Sequence, residues 1–297
     1  MRLNHLIFTL LLFIAGGVAY GQNYTFKVLA NKGENKVKVD EAWSALKTGA
    51  SLDNSDELII SDNAYLGLVH ASGKTLEVKT AGTYKVSDLA AKINIAGSSV
   101  ASKYADFVLS KMSAEGKKNR LSATGAVHRG SNEAINIFLP NSAGVYKDKV
   151  IVRWDSLAGD NRYEVVLKNM FNDVLLTIET NEPNIELDLT KREIANEKYL
   201  LLTVNTTGDD AVESGTYAIK RLPEEDVARV EKTLNDLLVV VDEETALNKY
   251  ILAGFFEENN LLIDALTSFE EAIHLAPGVA SYKDAYIDFL LRNHLSE

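Results

Sequence analysis

Few residues in this chain have the types and spacing that chemistry needs, and each group has a plainer reading. His70-Ala71-Ser72-Gly73-Lys74-Thr75 ends like a phosphate-binding loop, where main-chain N–H groups cradle phosphate and a lysine reaches its outer oxygens. That motif needs four residues between its glycines, whereas five separate Gly67 from Gly73, and the following TLEV reads as a strand rather than a helix. A β-hairpin turn is the expectation. The four histidines beyond residue 22 (His70, His128, His274 and His294) form neither HExxH nor HxH, and are read as structural or surface residues. The absence of cysteine removes thiolate zinc sites, iron–sulfur clusters and cysteine nucleophiles. Asp53-Asn54-Ser55-Asp56 lacks the glycine and glutamate that complete a calcium loop, and there is no G-x-S-x-G elbow.

Carboxylates are abundant, but abundance is not a site. Glu224, Glu225 and Asp226 read as the first turn of a helix, and Asp242, Glu243 and Glu244 as a turn between helices. Glu257, Glu258, Glu270 and Glu271 read as solvated helix faces. A glycosidase would need two carboxyls converging in a cleft. Arg120, Thr124, Gly125 and Arg129, in RLSATGAVHRG, form a polar stretch read as a structural loop in preference to an anion contact. The sequons at Asn23 and Asn205 are read as incidental. The sequence therefore predicts no catalytic, cofactor-binding or metal-ligating residue, no cofactor and no enzyme activity.

The elements around these residues give more. The 297 residues are 46% hydrophobic and 25% charged, which excludes collagen-like, low-complexity and disulfide-rich classes. A net charge of −11 argues against nucleic-acid or anionic-membrane partners. Arg2, an apolar run from Leu6 to Ile14 and the small residues ending in Ala19-Tyr20-Gly21 form a secretory signal pattern, with cleavage expected near Gly21/Gln22. The apolar run is short against the ~20 residues needed to span a membrane. No cysteine follows it, so a lipoprotein anchor is not expected, nor is membrane insertion after cleavage. The chain is thus expected in the periplasm or outside the cell.

Three blocks follow residues 1–21, giving a multidomain expectation: a mostly-β N-terminal domain with helices (22–148), a β-sandwich (149–222) and an all-α domain (223–297). In the first, FKVLA, Lys36–Val39, Glu57–Ile60, YLGLV and TLEVKT read as strands, with YLGLV covered on both faces. Ser87-Asp88 reads as a helix start, and Val100, Tyr104, Phe107, Val108 and Met112 share one helical face. NEAINIFLP reads as a further strand. The second block has six β-type runs, VIVRW, RYEVVLKN, VLLTIET, NIELDLT, KYLLLTVNT and TYAIKRL, separated by turn clusters. Its placement of Trp154, Tyr163, Leu187 and Tyr199 resembles a fibronectin type III module, where such aromatics are core.

In the third block, Pro223 opens an acidic helix, and ALNKYILAGFFEENNLLIDALTSFEEAIHLAP resembles a single tetratricopeptide repeat. The matching residues are Leu252, Ala253, Phe256, Ala265, Phe269, Ala272 and Pro277; Asn260 and Leu262 depart from the usual glycine and aromatic. Ala253 and Ala265 would let two helices approach, with Phe256 and Phe269 filling the gap. One repeat cannot bury its own faces, so flanking helices over Val227–Val241 and Tyr282–Leu295 must act as partners or caps.

Trp43, Leu46, Gly49, Leu52, Asp56, Leu58 and YLGLVHASGKTLEV resemble a FecR-type domain, the periplasmic β-domain of regulators that couple outer-membrane iron transporters to transcription. The chain shows no anti-sigma segment, so what the resemblance implies is an envelope interaction domain. The leading expectation is a non-enzymatic envelope scaffold or adaptor, engaging a protein partner through its helical domain, or a cell-wall component. A ligand-sensing envelope module and a secreted carbohydrate-active hydrolase are the alternatives.

Overall fold

Short apolar-alternating segments make the N-terminal third of the protein a pair of four-stranded antiparallel sheets. The structure is a computed structural model and describes residues 24–39, 41–93, 99–111, 134–157, 162–208, 211–239, 241 and 244–296. The expected export segment, Asn23, Met112, Asp242, Glu243 and the whole RLSATGAVHRG stretch (Arg120, Thr124, Gly125, His128, Arg129) lie outside the described residues.

The first unit comprises β1 (Phe26–Lys32), β2 (Lys36–Val39), β3 (Ala42–Ala45), β4 (Ser51–Leu52), β5 (Glu57–Ile60), β6 (Tyr65–His70), β7 (Thr75–Val78) and β8 (Gly82–Lys85). Its sheets run β4-β1-β6-β7 and β3-β2-β5-β8, and share a core of Phe26, Val28, Leu52, Leu58, Leu66 and Leu68. Strand β6 is buried on both faces. Leu66 and Leu68 enter that core, while Tyr65 and Val69 join the core of the helical region. Its blurred alternation has this cause: a strand covered on both sides has no polar face to alternate with. Helix α1 (Val86–Ala91) closes the unit, and α2 (Ser99–Lys111) turns Tyr104 and Val108 toward the helical core.

The middle unit contains β9 (Ser142–Val145), β10 (Lys149–Arg153), β11 (Tyr163–Lys168), β12 (Val174–Thr180), β13 (Asn184–Asp188), β14 (Tyr199–Thr206) and β15 (Tyr217–Arg221). A five-stranded sheet, β12-β11-β14-β15-β9, and a pair, β10-β13, enclose one core. All six expected runs are strands. Strand β9 is an addition that pairs in parallel with β15, a non-local partnership that no local pattern announces. Within NEAINIFLP, whose Asn132 and Glu133 lie outside the described residues, Ile135 and Ile137 form isolated bridges to Ser214 and Trp154 in place of the expected strand. Its Ile135, Ile137 and Leu139 still enter the middle core, upstream of residue 149. Trp154 meets Tyr163 edge-on at 5.4 Å.

The described residues of the C-terminal region form four helices: α3 (Glu224–Leu238), α4 (Ala246–Glu258), α5 (Leu262–Leu275) and α6 (Ala280–Arg292). Pro223 sits at the N-cap of α3, and the Thr245 side chain accepts the Asn248 N–H at the start of α4. Asn260 joins α4 to α5 at φ 57°, a left-handed conformation that asparagine tolerates where glycine is usual. Pro277 follows the end of α5, where its missing N–H prevents continuation. Ala253, Ala265 and Ala272 are fully buried, with Phe256 and Phe269 beside them. At Gly254 a Cβ would lie 2.7 Å from Val108 Cγ2, so the glycine lets α2 cross α4 closely. Among the described residues no helix is long and apolar enough to cross a membrane.

Candidate functional site

The α4–α5 pair is the hub of the molecule. Ten of the 13 residues of α4 are buried, so it has no solvated side and behaves as a central helix. Its N-terminus meets the first unit and α5 meets the middle unit, each through a polar junction.

At the first junction Glu77, on β7, accepts the main-chain N–H of Leu247 at 2.9 Å and the Tyr65 hydroxyl at 2.5 Å. A carboxylate suits this place, because the first turn of a helix has unpaired N–H donors and the positive end of the dipole. The Tyr65 and Tyr282 hydroxyls lie 2.8 Å apart, which brings in α6, and Lys79 pairs with Glu77 at 2.6 Å. Burial raises both phenols well above their ordinary value, so both keep their protons.

The second junction is denser. Asp264, fully buried on α5, accepts the main-chain N–H of Lys147 at 2.6 Å and of Tyr146 at 3.0 Å. One turn on, Thr267 Oγ1 accepts the Ile151 N–H at 2.9 Å. Lys147 donates to Ser268 at 3.1 Å and reaches Glu271 at 3.4 Å, while Lys249 of α4 pairs with Glu271 at 2.9 Å. Arg153, on β10, grips both carboxylate oxygens of Glu270. Burial pushes the Asp264 carboxyl up to about 6, against the opposing pull of its two N–H donors and of Lys147. Burial also holds the Lys147 ammonium below its usual value.

Between the first unit and helices α2, α4 and α6 opens a cleft of about 900 Å³. Tyr250, Phe107 and Phe269 give it an aromatic lining. Much of its charge is paired internally: Lys27 with Asp106 at 2.7 Å, and Arg292 with both oxygens of Glu257 at 2.5 and 2.6 Å. Its volume suits a small ligand. Among the described residues no group of three histidine, aspartate or glutamate side chains could hold a metal ion.

No family model matches the chain, and no curated protein matches it.

The residues singled out by sequence are dispersed. The HASGKT stretch is the β6–β7 hairpin turn: His70 N–H donates to Lys74 O at 2.7 Å, and Gly73 takes φ 88°. Gly67 lies within β6 under Leu247 of α4, so it belongs to no phosphate loop. His70 pairs with Ser72 at 2.8 Å, and burial lowers its pKa. His274 and His294 are exposed. Of the FecR-like positions, Leu46, Leu52 and Leu58 are core, whereas Trp43 is exposed on β3.

The acid runs need correction. Glu257 and Glu270 are not solvated: their side chains are 7% and 13% exposed, each held by an arginine from another element. Sequence reasoning also missed Asp264, Thr267 and Ser268. Their spacing with Glu271 did draw a polar stripe along α5, but a stripe facing water and one facing the polar groups of another unit look alike in sequence.

Proposed function

We propose that the chain is an exported, non-enzymatic scaffold or adaptor of a bacterial cell envelope, built from a FecR-like domain, a fibronectin type III-like sandwich and a tetratricopeptide-like helix pair. The observation that carries this is the placement of α4–α5, whose polar contacts reach both β-units. Such a core suits presentation of two surfaces to partners. The charged outer face of α3, with Glu224, Glu225, Glu231 and Asp236 exposed, is one such surface. Two sheets around one core with a buried tryptophan support the fibronectin-like reading, and the buried alanines of α4 and α5 support the repeat-like one. The signal pattern supports export.

The test compares capture of partners from envelope extracts with a broad hydrolase screen on the purified protein. Specific capture that is lost with charge reversal on α3, and no turnover of esters, glycosides or nucleotides, is expected. Turnover that disappears with one carboxylate substitution would overturn the reading. N-terminal sequencing of the exported protein should begin near Gln22. The cleft of about 900 Å³ favours one second reading, a ligand-sensing module.

A further inference from the structure

The β11–β12 hairpin leaves three large apolar side chains in solvent: Phe171 is 85% exposed, Met170 62% and Val174 59%. The turn that carries them is well fixed. Asn169 Oδ1 accepts the Phe171 N–H at 2.8 Å and the Asp173 N–H at 3.0 Å, and the Asn169 N–H donates to Asp173 O at 3.0 Å. Beside the turn, β12 ends the five-stranded sheet, no described strand pairs with its outer side, and none of its seven residues is buried. The opposite edge, β9, is covered by α5. A seven-residue apolar edge with one charged residue, Glu179, is a template for another strand.

We propose that β12 pairs antiparallel with β12 of a second copy of the chain, across a two-fold axis at Thr177, to make one ten-stranded sheet.

Charge and a bulge set that register. A two-fold axis normal to the sheet passes a residue that faces its own copy, because a one-residue offset would turn one copy over. On the hairpin face away from the core, Glu179 stands opposite Glu164, and Lys168 stands opposite Val174 at the other end, with Leu175 as an extra residue. An axis at Glu179 or Ile178 would set the two Glu179 carboxylates opposite or diagonal to each other, beside Glu164, which is repulsive. An axis at Leu176 would leave one regular pair between the two bulges. An axis at Thr177 gives three, Thr177 with itself and Leu176 with Ile178 twice. Each Glu179 then reaches the partner's bulge, on the row that carries the partner's Lys168, so a cation faces the crowded Glu164–Glu179 pair. The same axis sets the tip of each hairpin, with Met170 and Phe171, beside the Asn181-Glu182-Pro183 turn of the other copy.

Sedimentation of the exported chain in about 0.15 M salt, which screens the repulsion of two negative copies, should show a reversible dimer. Phe171→Ser should weaken it about tenfold or more. Glu179→Lys and Lys168→Glu should each weaken it about fivefold, and the charge-swapped double variant should restore it. Within one chain these residues lie about 13 Å apart, four rows along β11, so restoration reports contact between copies. The chain has no cysteine, so Thr177→Cys offers a single thiol. It should oxidise to a covalent dimer, because residues facing across a ladder lie within the Cα span of a disulfide. Asn181→Cys should not, since its two copies lie more than about 20 Å apart. A chain still monomeric at about 0.5 mM, a dimer indifferent to Phe171→Ser and to the charge swap, or Asn181→Cys linking as readily as Thr177→Cys overturns the proposal. So does a monomer that floats with phosphatidylcholine vesicles and is released by Phe171→Ser, which would give the hairpin to a lipid surface.

Discussion

Thr267 Oγ1 accepts the main-chain N–H of Ile151 at 2.9 Å while donating to the carbonyl of Ile263 at 2.8 Å. One hydroxyl thus closes a contact between units and returns its proton to its own helix. Thr267→Val keeps the shape but leaves the Ile151 N–H without this acceptor, at a cost of about 1–3 kcal/mol. Thr267→Ser retains the hydroxyl and should cost less than about 1 kcal/mol. Urea denaturation of the two variants checks the order; equal losses would mean that the methyl group, not the hydroxyl, matters.

Arg153 and Glu270 join β10 to α5 through two parallel contacts on side chains 27% and 13% exposed. A double-mutant cycle with Arg153→Met and Glu270→Gln should give a coupling of about 1–2 kcal/mol. That exceeds the value for an exposed pair such as Lys149 with Glu186, both mostly exposed, for which well under 1 kcal/mol is expected. Because the Arg153 pair is partly sheltered, its coupling should largely survive added salt.

Gly254 tests the crossing of α2 and α4. In an open helix Gly→Ala adds about 1 kcal/mol of stability. Here the new methyl would meet Val108 Cγ2 at 2.7 Å, and a β-branched side chain yields little. Gly254→Ala should therefore destabilise, by about 1–3 kcal/mol. Val108→Ala in the same chain removes the obstructing methyls, so the double variant should lose less than the two single losses added. Thermal melts of the three proteins decide the sign.

These relationships mark where the sequence was legible. Strands β10 to β15 stood out because each is a short run rich in β-branched and aromatic residues between turn clusters. The α4–α5 pair stood out because Ala253, Ala265, Phe256 and Phe269 repeat at helical spacing. Strand β9 was hidden because its partner β15 lies some 75 residues away and neither shape nor composition marks it. Glu257 and Glu270 were misread for a related reason: Arg292 and Arg153 reach them from distant positions, and a glutamate's sequence neighbours do not show what covers it. Asp264 is the extreme case, a charge type that is fully buried only when supplied with donors.

The hub also makes one substitution more consequential than its size suggests. Ala265 is fully buried, with Phe256 and Phe269 in the same cluster. Ala265→Glu forces a longer side chain and a charge into that contact, combining overpacking with desolvation. A loss of about 3 kcal/mol or more is expected in the full chain. Glu258, whose side chain is partly exposed and pairs with Lys103 at 2.9 Å, marks the other limit: Glu258→Ala should cost less than about 1 kcal/mol. The full chain is required, because the faces of α4 and α5 are covered by both β-units and an isolated 223–297 fragment would expose them. If α4 and α5 act as one hub, Ala265→Glu should also speed exchange at two distant amides: Leu247, which donates to Glu77, and Lys147, which donates to Asp264. Faster exchange at Lys147 alone would mean that the two junctions form independently, and the two β-units would then be free to reorient.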